Sequence, residues 1–504
     1  MLSQNIRSFI LTNIKYNAVY WIAGAAAVIF FACSSLRHAL FQSGAFDLGI
    51  FDQAVYLISQ GKPAISSFIG FHILGDHAAL ILYPLALLYK IYPDVHGLLA
   101  VQAAALALGA LPAWRLAKLA GLQDKPALAM AGVYLLYPLV FNLNLFDFHP
   151  EVIALPALLW AILAARQNQI GWFCLAIALV LSCKAVLALT VVTMGFWLII
   201  FEKKRLLGII AIAAGVAWFL IATQFIIPFF GSNAASVARH LPRYSYLGNS
   251  APEMLKNLLL QPALILGKIF SLATLEYLAL LVLPVIWWLS PQHLSPLVGA
   301  VSTLVLNILS EAATQRNLVQ QYSLPVLPFL LVAVISNLAA KEIDTPLESG
   351  KKNTFFFVIP FLSFLKRRQG SVLPLILWSF LAFIVLAKYG YFGSIYLDSL
   401  DTWKATRQAI AQIQTRESVL TTHEISPHLS CRQLIKFTDA SSPPGNLAEF
   451  KYILLNLRDP GWKSSPKFAA GLVEKLKTKP EFKLSYQQDD VYLFIQQVSN
   501  SLTE

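Results

Sequence analysis

Two carboxylates stand in the run Phe46-Asp47-Leu48-Gly49-Ile50-Phe51-Asp52-Gln53, just after the first apolar segment of the chain. Ionisable groups beside a bilayer are costly to hold, so they point first to function. A carboxylate there can act as a general base or orient an acceptor hydroxyl. A second polar knot, Phe146-Asp147-Phe148-His149-Pro150-Glu151, separates two later apolar segments. If its alternating Asp147, His149 and Glu151 were extended, they would share one side. Such a trio suits a substrate or a divalent cation, although spacing fixes no second ligand cluster.

Other charged residues could join them. Asp76 and His77 open a further apolar run, and can supply a charge or a proton donor. Lys184, between two apolar segments, can bind a lipid phosphate or snorkel to the interface. Arg316, in Gln315-Arg316-Asn317, suits a phosphate or diphosphate clamp. Arg239, His240, Arg243 and Tyr244 lie in a long loop at 230–268 that can carry or cover substrate. Structural readings compete for several of these. Asp47 fits a helix N-cap, and Glu151 fits the first turn after Pro150, where a carboxylate complements the helix dipole.

Taken as a helix, residues 46–60 place Phe46, Ile50, Phe51, Ala54, Leu57 and Ile58 on one arc. Asp52, Gln53, Tyr56, Ser59 and Gln60 fall opposite. That amphipathic pattern predicts a helix lying on a membrane surface with Asp52 on its polar face. Asp47 falls within the apolar arc, so it must precede the helix or project into a protein cavity.

The elements that position these groups are membrane helices. The chain has 504 residues, 57% hydrophobic and 13% charged. Repeated apolar runs predict about eleven crossings, at 16–36, 95–114, 126–145, 151–166, 170–183, 185–201, 206–229, 270–290, 295–310, 322–340 and 371–389. Residues 72–92, interrupted by Asp76, His77, Pro84 and Lys90, read as juxtamembrane or re-entrant helices in a first outer loop at 37–94. The positive-inside rule then puts the N-terminus in the cytoplasm. Cytoplasmic loops would hold Arg115, Lys118, Lys125, Lys203, Lys204 and Arg205, and the later run Lys351, Lys352, Lys366, Arg367 and Arg368. Both acidic knots then face outward.

Net charge is +12, but the chain from Gly390 onward carries 13 basic and 12 acidic residues. The excess therefore belongs to the membrane part, and indicates topology and lipid contact instead of nucleic-acid binding. Cys33, Cys174, Cys183 and Cys431 show no metal or redox spacing. The organisation expected is an all-α multi-pass domain at 1–390 and a small extracytoplasmic α/β domain at 391–504. In that second domain 418–421, 452–455 and 491–494 read as strands, and 403–413 and 468–476 as helices.

The segments Phe-Asp-Leu-Gly-Ile-Phe-Asp-Gln, Leu-Gly-Asp-His, Phe-Asp-Phe-His-Pro-Glu and Gln-Tyr-Ser-Leu-Pro-Val-Leu-Pro-Phe resemble a bacterial membrane-protein family called domain of unknown function 2079. The resemblance covers nearly the whole chain, and the family looks like a branch of the GT-C glycosyltransferases. It implies a GT-C-like fold in the bacterial inner membrane, a polyprenyl-phosphate-linked sugar donor and an extracytoplasmic acceptor. By position Asp47 matches the catalytic carboxylate of that class. Asp52, Asp76, His77, Asp147, His149, Glu151, Lys184 and Arg316 are then candidates for substrate binding. The family lysine matching Lys184 is followed by two acidic residues; Ala185 and Val186 stand there in this chain. The alternative is a degenerate lipid-binding or transport protein on the same scaffold.

Overall fold

The computed structural model describes residues 2–231, 241–343, 372–389, 397 and 399–497. Arg239, His240 and the basic run from Lys351 to Arg368 lie outside the described residues. Helices dominate up to Leu386, and a small sheet follows near the C-terminus.

Among the described residues five helices are long and apolar enough to cross a membrane. They are Ala18–Ala39, His96–Leu119, Asp124–Phe146, Arg205–Gly231 and Gln321–Glu342. A sixth candidate, Pro262–Ile269 with Leu272–Trp288, bends by 49°. The other expected spans are shorter helices, including Glu151–Arg166, Ile170–Cys183, Leu187–Ile200 and Val372–Leu386. At 1.5 Å per residue these reach about 20–25 Å, less than a typical hydrocarbon core. The stretch 72–92 holds a four-residue helix, Leu74–His77, and a ten-residue helix, Leu82–Ile91. Neither can span a bilayer.

The segment after the first long helix differs from a single surface helix. Ala45–Gly49 forms a π-helical turn and Ile50–Ser59 an α-helix. Asp47 lies in the turn, and its side chain caps neither helix. The polar face of Ile50–Ser59 does not meet solvent: Asp52, Gln53, Tyr56 and Ser59 are all buried. The C-terminal region covers it, with Gln53 Nε2 donating to the carbonyls of Arg432 and Gln433. Trp403 Nε1 also donates to the Ala39 carbonyl at 2.8 Å, tying that region to the end of the first helix.

A two-stranded ribbon, β1 (Ile65–Ser66) with β2 (Phe71–His72), lies in the first loop. The C-terminal sheet contains β3 (Val419–Thr421), β4 (Ile435–Phe437), β5 (Tyr452–Asn456), β6 (Phe482–Gln488) and β7 (Val491–Gln496). Its order is β4-β3-β5-β7-β6. β3 is parallel to β4 and β5, whereas β7 is antiparallel to β5 and β6. Successive side chains alternate between faces. Leu454, Val491 and Leu493 pack with Ala405 and Ala409 of the helix Leu400–Ala411. Ile453, Leu455, Tyr492 and Phe494 pack with Leu472, Val473 and Leu476 of the helix Pro466–Lys477. Both faces of β5 are therefore covered, which explains its unbroken burial. Ser465 starts the second helix by accepting from the Phe468 amide, with Pro466 in the first turn.

Candidate active site

The two acidic knots meet through one side-chain pair. His149 Nε2 lies 3.2 Å from Asp47 Oδ1. His149 is buried, with its ring stacked on Phe146 and edge-on to Phe51. Asp47 keeps part of its surface open. Burial works against ionising Asp47, yet the hydrogen bond and charge of His149, then the charges of His423 and Arg37, hold its carboxyl below the ordinary range. Burial also opposes charge on His149, but Asp47 and then Glu151 outweigh it and raise the imidazole above its ordinary value. In this pair each group favours the charged form of the other.

Asp147, His149 and Glu151 do not share one side. Asp147 ends the helix Pro138–Phe146 with φ at +117°. That turn sends its carboxylate back to the first helix, where Arg37 donates to Oδ1 and the Gly44 amide to Oδ2 at 2.9 Å. Burial raises the Asp147 carboxyl, against the pull of Arg37. Asp147 therefore fastens the loop that carries Asp47. Glu151 begins the helix Glu151–Arg166, and its Oε1 accepts from Lys184 Nζ at 2.6 Å; both residues are buried. The three alternating residues thus engage Arg37, Asp47 and Lys184 separately.

These groups surround a cavity of about 410 Å³ lined by Asp47, Asp76, His77, His149, Glu151 and Lys184. Asp76 and His77 come from the short helix in the first loop. The Ala185 amide donates to the His77 carbonyl, and the Ile81 amide to the Ser182 carbonyl, so this segment is stitched to the one bearing Lys184. Ala185 and Val186, the positions of the expected acidic pair, also line the cavity. The rest of the wall is mostly apolar, with Phe51, Leu189, Phe219, Ile227 and Leu306. A polar end against an apolar wall matches an amphiphile with a charged head.

Asp52 and Arg316 are not among the residues that line the cavity. Asp52 points away, accepting from Tyr89 Oη, from Ser430 Oγ at 2.6 Å and from Cys431 Sγ at 3.5 Å. Burial pushes its carboxyl up to about 6 despite these donors. The Arg316 guanidinium is turned onto the carbonyls of Asn307, Ile308 and Ser310, at the end of the helix Val301–Leu309. Orphan carbonyls at a helix C-terminus attract a cation, which explains that placement. Arg243 is the arginine in the cavity wall, beside Tyr244 and Tyr322. It donates to Tyr322 Oη at 3.3 Å, and its guanidinium carbon lies 5.4 Å from that ring's centre. The sequence places Arg243 in a loop that can carry or cover substrate, without marking it as a phosphate clamp. Asn307, polar within an apolar segment, and Tyr322, within Gln-Tyr-Ser-Leu-Pro, were the signals for this wall.

Among the described residues no three His, Cys, Asp or Glu side chains are grouped so as to hold a metal ion. The carboxylates that do reach the cavity are committed to histidine or lysine partners.

The fold is similar to that of the solved structures of ArnT. ArnT from Cupriavidus metallidurans bound to undecaprenyl phosphate matches with a TM-score of 0.53 at 13% identity, over 95% of this chain and 98% of that one. Its apo state matches with a TM-score of 0.52 at 13% identity, over 94% and 97%. The Archaeoglobus fulgidus oligosaccharyltransferase in its apo form matches with a TM-score of 0.38 at 12% identity, over 88% and 70%. No curated protein sequence matches the chain. A family model described as a predicted membrane protein, DUF2079, matches residues 37–493, and the chain belongs to that family.

Proposed function

We propose that this protein is a glycosyltransferase of the bacterial inner membrane, moving a sugar from a polyprenyl-phosphate donor to an extracytoplasmic acceptor. The observation that carries this reading is Asp47. Its carboxylate is paired with His149 and opens into the polar end of a mostly apolar cavity that also contains Lys184 and Arg243. The fold shared with ArnT bound to undecaprenyl phosphate supports a lipid-phosphate donor. The same reading keeps eleven crossings, a cytoplasmic N-terminus and an extracytoplasmic C-terminal region. Tilt or local thinning would accommodate the shorter helices.

In the reaction the acceptor oxygen attacks the anomeric carbon, and the bond from that carbon to the donor phosphate breaks. Asp47 orients the acceptor hydroxyl and takes its proton as the new bond forms. Its lowered basicity suits a late transfer, when attack has already acidified that proton. Arg243 and Lys184 hold the leaving phosphate, and a preorganised cation lowers the cost of charge developing there. Lys184 is shared with Glu151, whereas Arg243 donates to the Tyr322 hydroxyl and to no carboxylate among the described residues. Arg243 therefore takes the clamp role that the sequence suggested for Arg316. Asp76 and His77 face the same space and serve the acceptor side.

One observation favours a second reading. Ala185 and Val186 put apolar surface in the cavity beside Lys184, which suits a scaffold that binds a lipid without transferring its sugar. Transfer from a panel of polyprenyl-phosphate sugars separates the two. Wild type should transfer and Asp47→Asn should not, although Asp47→Asn still unfolds in one cooperative transition at a somewhat lower temperature. Wild-type turnover by Asp47→Asn would remove Asp47 from the mechanism. Lipid binding with no transfer by either form would favour the second reading.

A further inference from the structure

The C-terminal sheet sends three loops to one edge. β3, β4 and β5 are mutually parallel, so their carboxyl ends lie together. His423 and Glu424 follow β3, Asp439 follows β4, and Trp462 and Lys463 follow β5. In the order β4-β3-β5 the connections diverge on either side of β3, and carboxyl ends at such a switch are where α/β sheets bind ligands.

This edge meets the loop that carries Asp47. The Phe46 ring lines the catalytic cavity and also lies edge-on to Phe437 at 5.2 Å and to Trp462 at 5.5 Å. His423 packs so closely on Gly44 that a Cβ there would stand 2.7 Å from its ring. The turn presenting Trp462 is built for that job. Gly461 and Lys463 on either side have φ of +90° and +66°, and the Glu424 carboxylate accepts from the Trp462 amide at 3.3 Å. Trp462 nonetheless leaves 53% of its surface uncovered. Lys463 Nζ lies 5.0 Å from the Trp462 ring centre and 5.6 Å from that of Phe46, and pairs with Asp439 at 3.3 Å.

A half-exposed indole, with an ammonium beside its ring that is itself paired to a carboxylate, suits a flat, hydroxyl-rich ring. The carbon-bound hydrogens of a pyranose stack on the indole, while its hydroxyls reach Lys463 and Asp439. We propose that Trp462, Lys463 and Asp439 form a carbohydrate subsite that delivers a sugar-bearing acceptor past Phe46 to Asp47. This assignment rests on the transferase reading for the role of its ligand, but sugar binding at Trp462 can be measured without transfer.

The test is saturation-transfer NMR on the full chain in lipid nanodiscs, with maltotriose and chitotriose as probes. Wild type should saturate the ring protons of at least one probe. Trp462→Ala should weaken that signal about tenfold, and Trp462→Phe should keep much of it. Lys463→Gln should weaken it without touching the exposed indole. Asp47→Asn should leave it intact, so loss of transfer and loss of sugar binding are read separately. No saturation of either probe by wild type, or equal saturation by Trp462→Ala, would overturn the subsite.

Discussion

His149 Nε2 and Asp47 Oδ1 stand 3.2 Å apart, joining the polar knot after the first long helix to the one before the helix Glu151–Arg166. The two groups titrate in opposite directions, Asp47 below its ordinary value and His149 above. The Asp47 contribution to stability is therefore present above the unfolded carboxyl range, and is lost as pH falls through the lowered native value. The His149 contribution is full below the unfolded imidazole range, and is lost as pH rises through the raised native value. Both groups are charged together between the lowered native carboxyl value and the raised native imidazole value. His149→Gln removes the group that lowers Asp47, while burial remains. The acid limb of the pH–rate profile should then move to higher pH. An unchanged limb would show that His149 does not set the basicity of Asp47.

Lys184 and Glu151 form a buried pair 2.6 Å apart. Removing one member leaves the other charged and unpaired, at a cost of about 3–5 kcal/mol. Lys184→Met should lower the melting temperature sharply, and Lys184→Met/Glu151→Gln should recover most of that loss. Donor retention should stay impaired in both, because each lacks the ammonium. Full donor retention by the double variant would make the pair purely structural.

Asp52 is buried beneath Ser430 and Cys431 with its carboxyl raised to about 6. A raised carboxyl contributes stability below its unfolded value, and that contribution is lost as pH rises through the native value. At pH 7.5 the folded protein therefore bears the cost of an ionised buried group. Asp52→Asn should stabilise it there by on the order of 1–3 kcal/mol, with the gap closing near pH 4. Melting curves at the two pH values check this. A destabilised variant at pH 7.5 would show that the three hydroxyl and thiol donors need the anion.

Much of this was legible in the sequence, and the failures have physical causes. The continuous apolar runs located the five long helices, because lipid forces backbone polar groups to pair internally. The helical period around Asp52 gave the right two faces but the wrong cover. A polar arc looks the same whether water or a docked sheet lies over it, and here Gln53 bonds the carbonyls of Arg432 and Gln433. The alternation of Asp147, His149 and Glu151 misled because φ of +117° at Asp147 breaks the extended geometry assumed. Arg316 and Arg243 were both visible as candidates. Only the end of the helix Val301–Leu309, with its unpaired carbonyls, decides which one is free to face the cavity. In the C-terminal region the buried strands β3, β5 and β7 stood out as apolar runs. The edge strand β6, with Lys483, Ser485 and Gln487 exposed, did not.

Native mass spectrometry of the protein extracted with its lipids addresses the donor assignment directly. Wild type should retain a polyprenyl phosphate or its glycosylated form, from the extract or after donor is added. Arg243→Ala should lose it, and Arg316→Ala should keep it if its fold survives. Only bulk phospholipid on the wild type after added polyprenyl-phosphate donor, or undiminished retention by Arg243→Ala, would contradict the account.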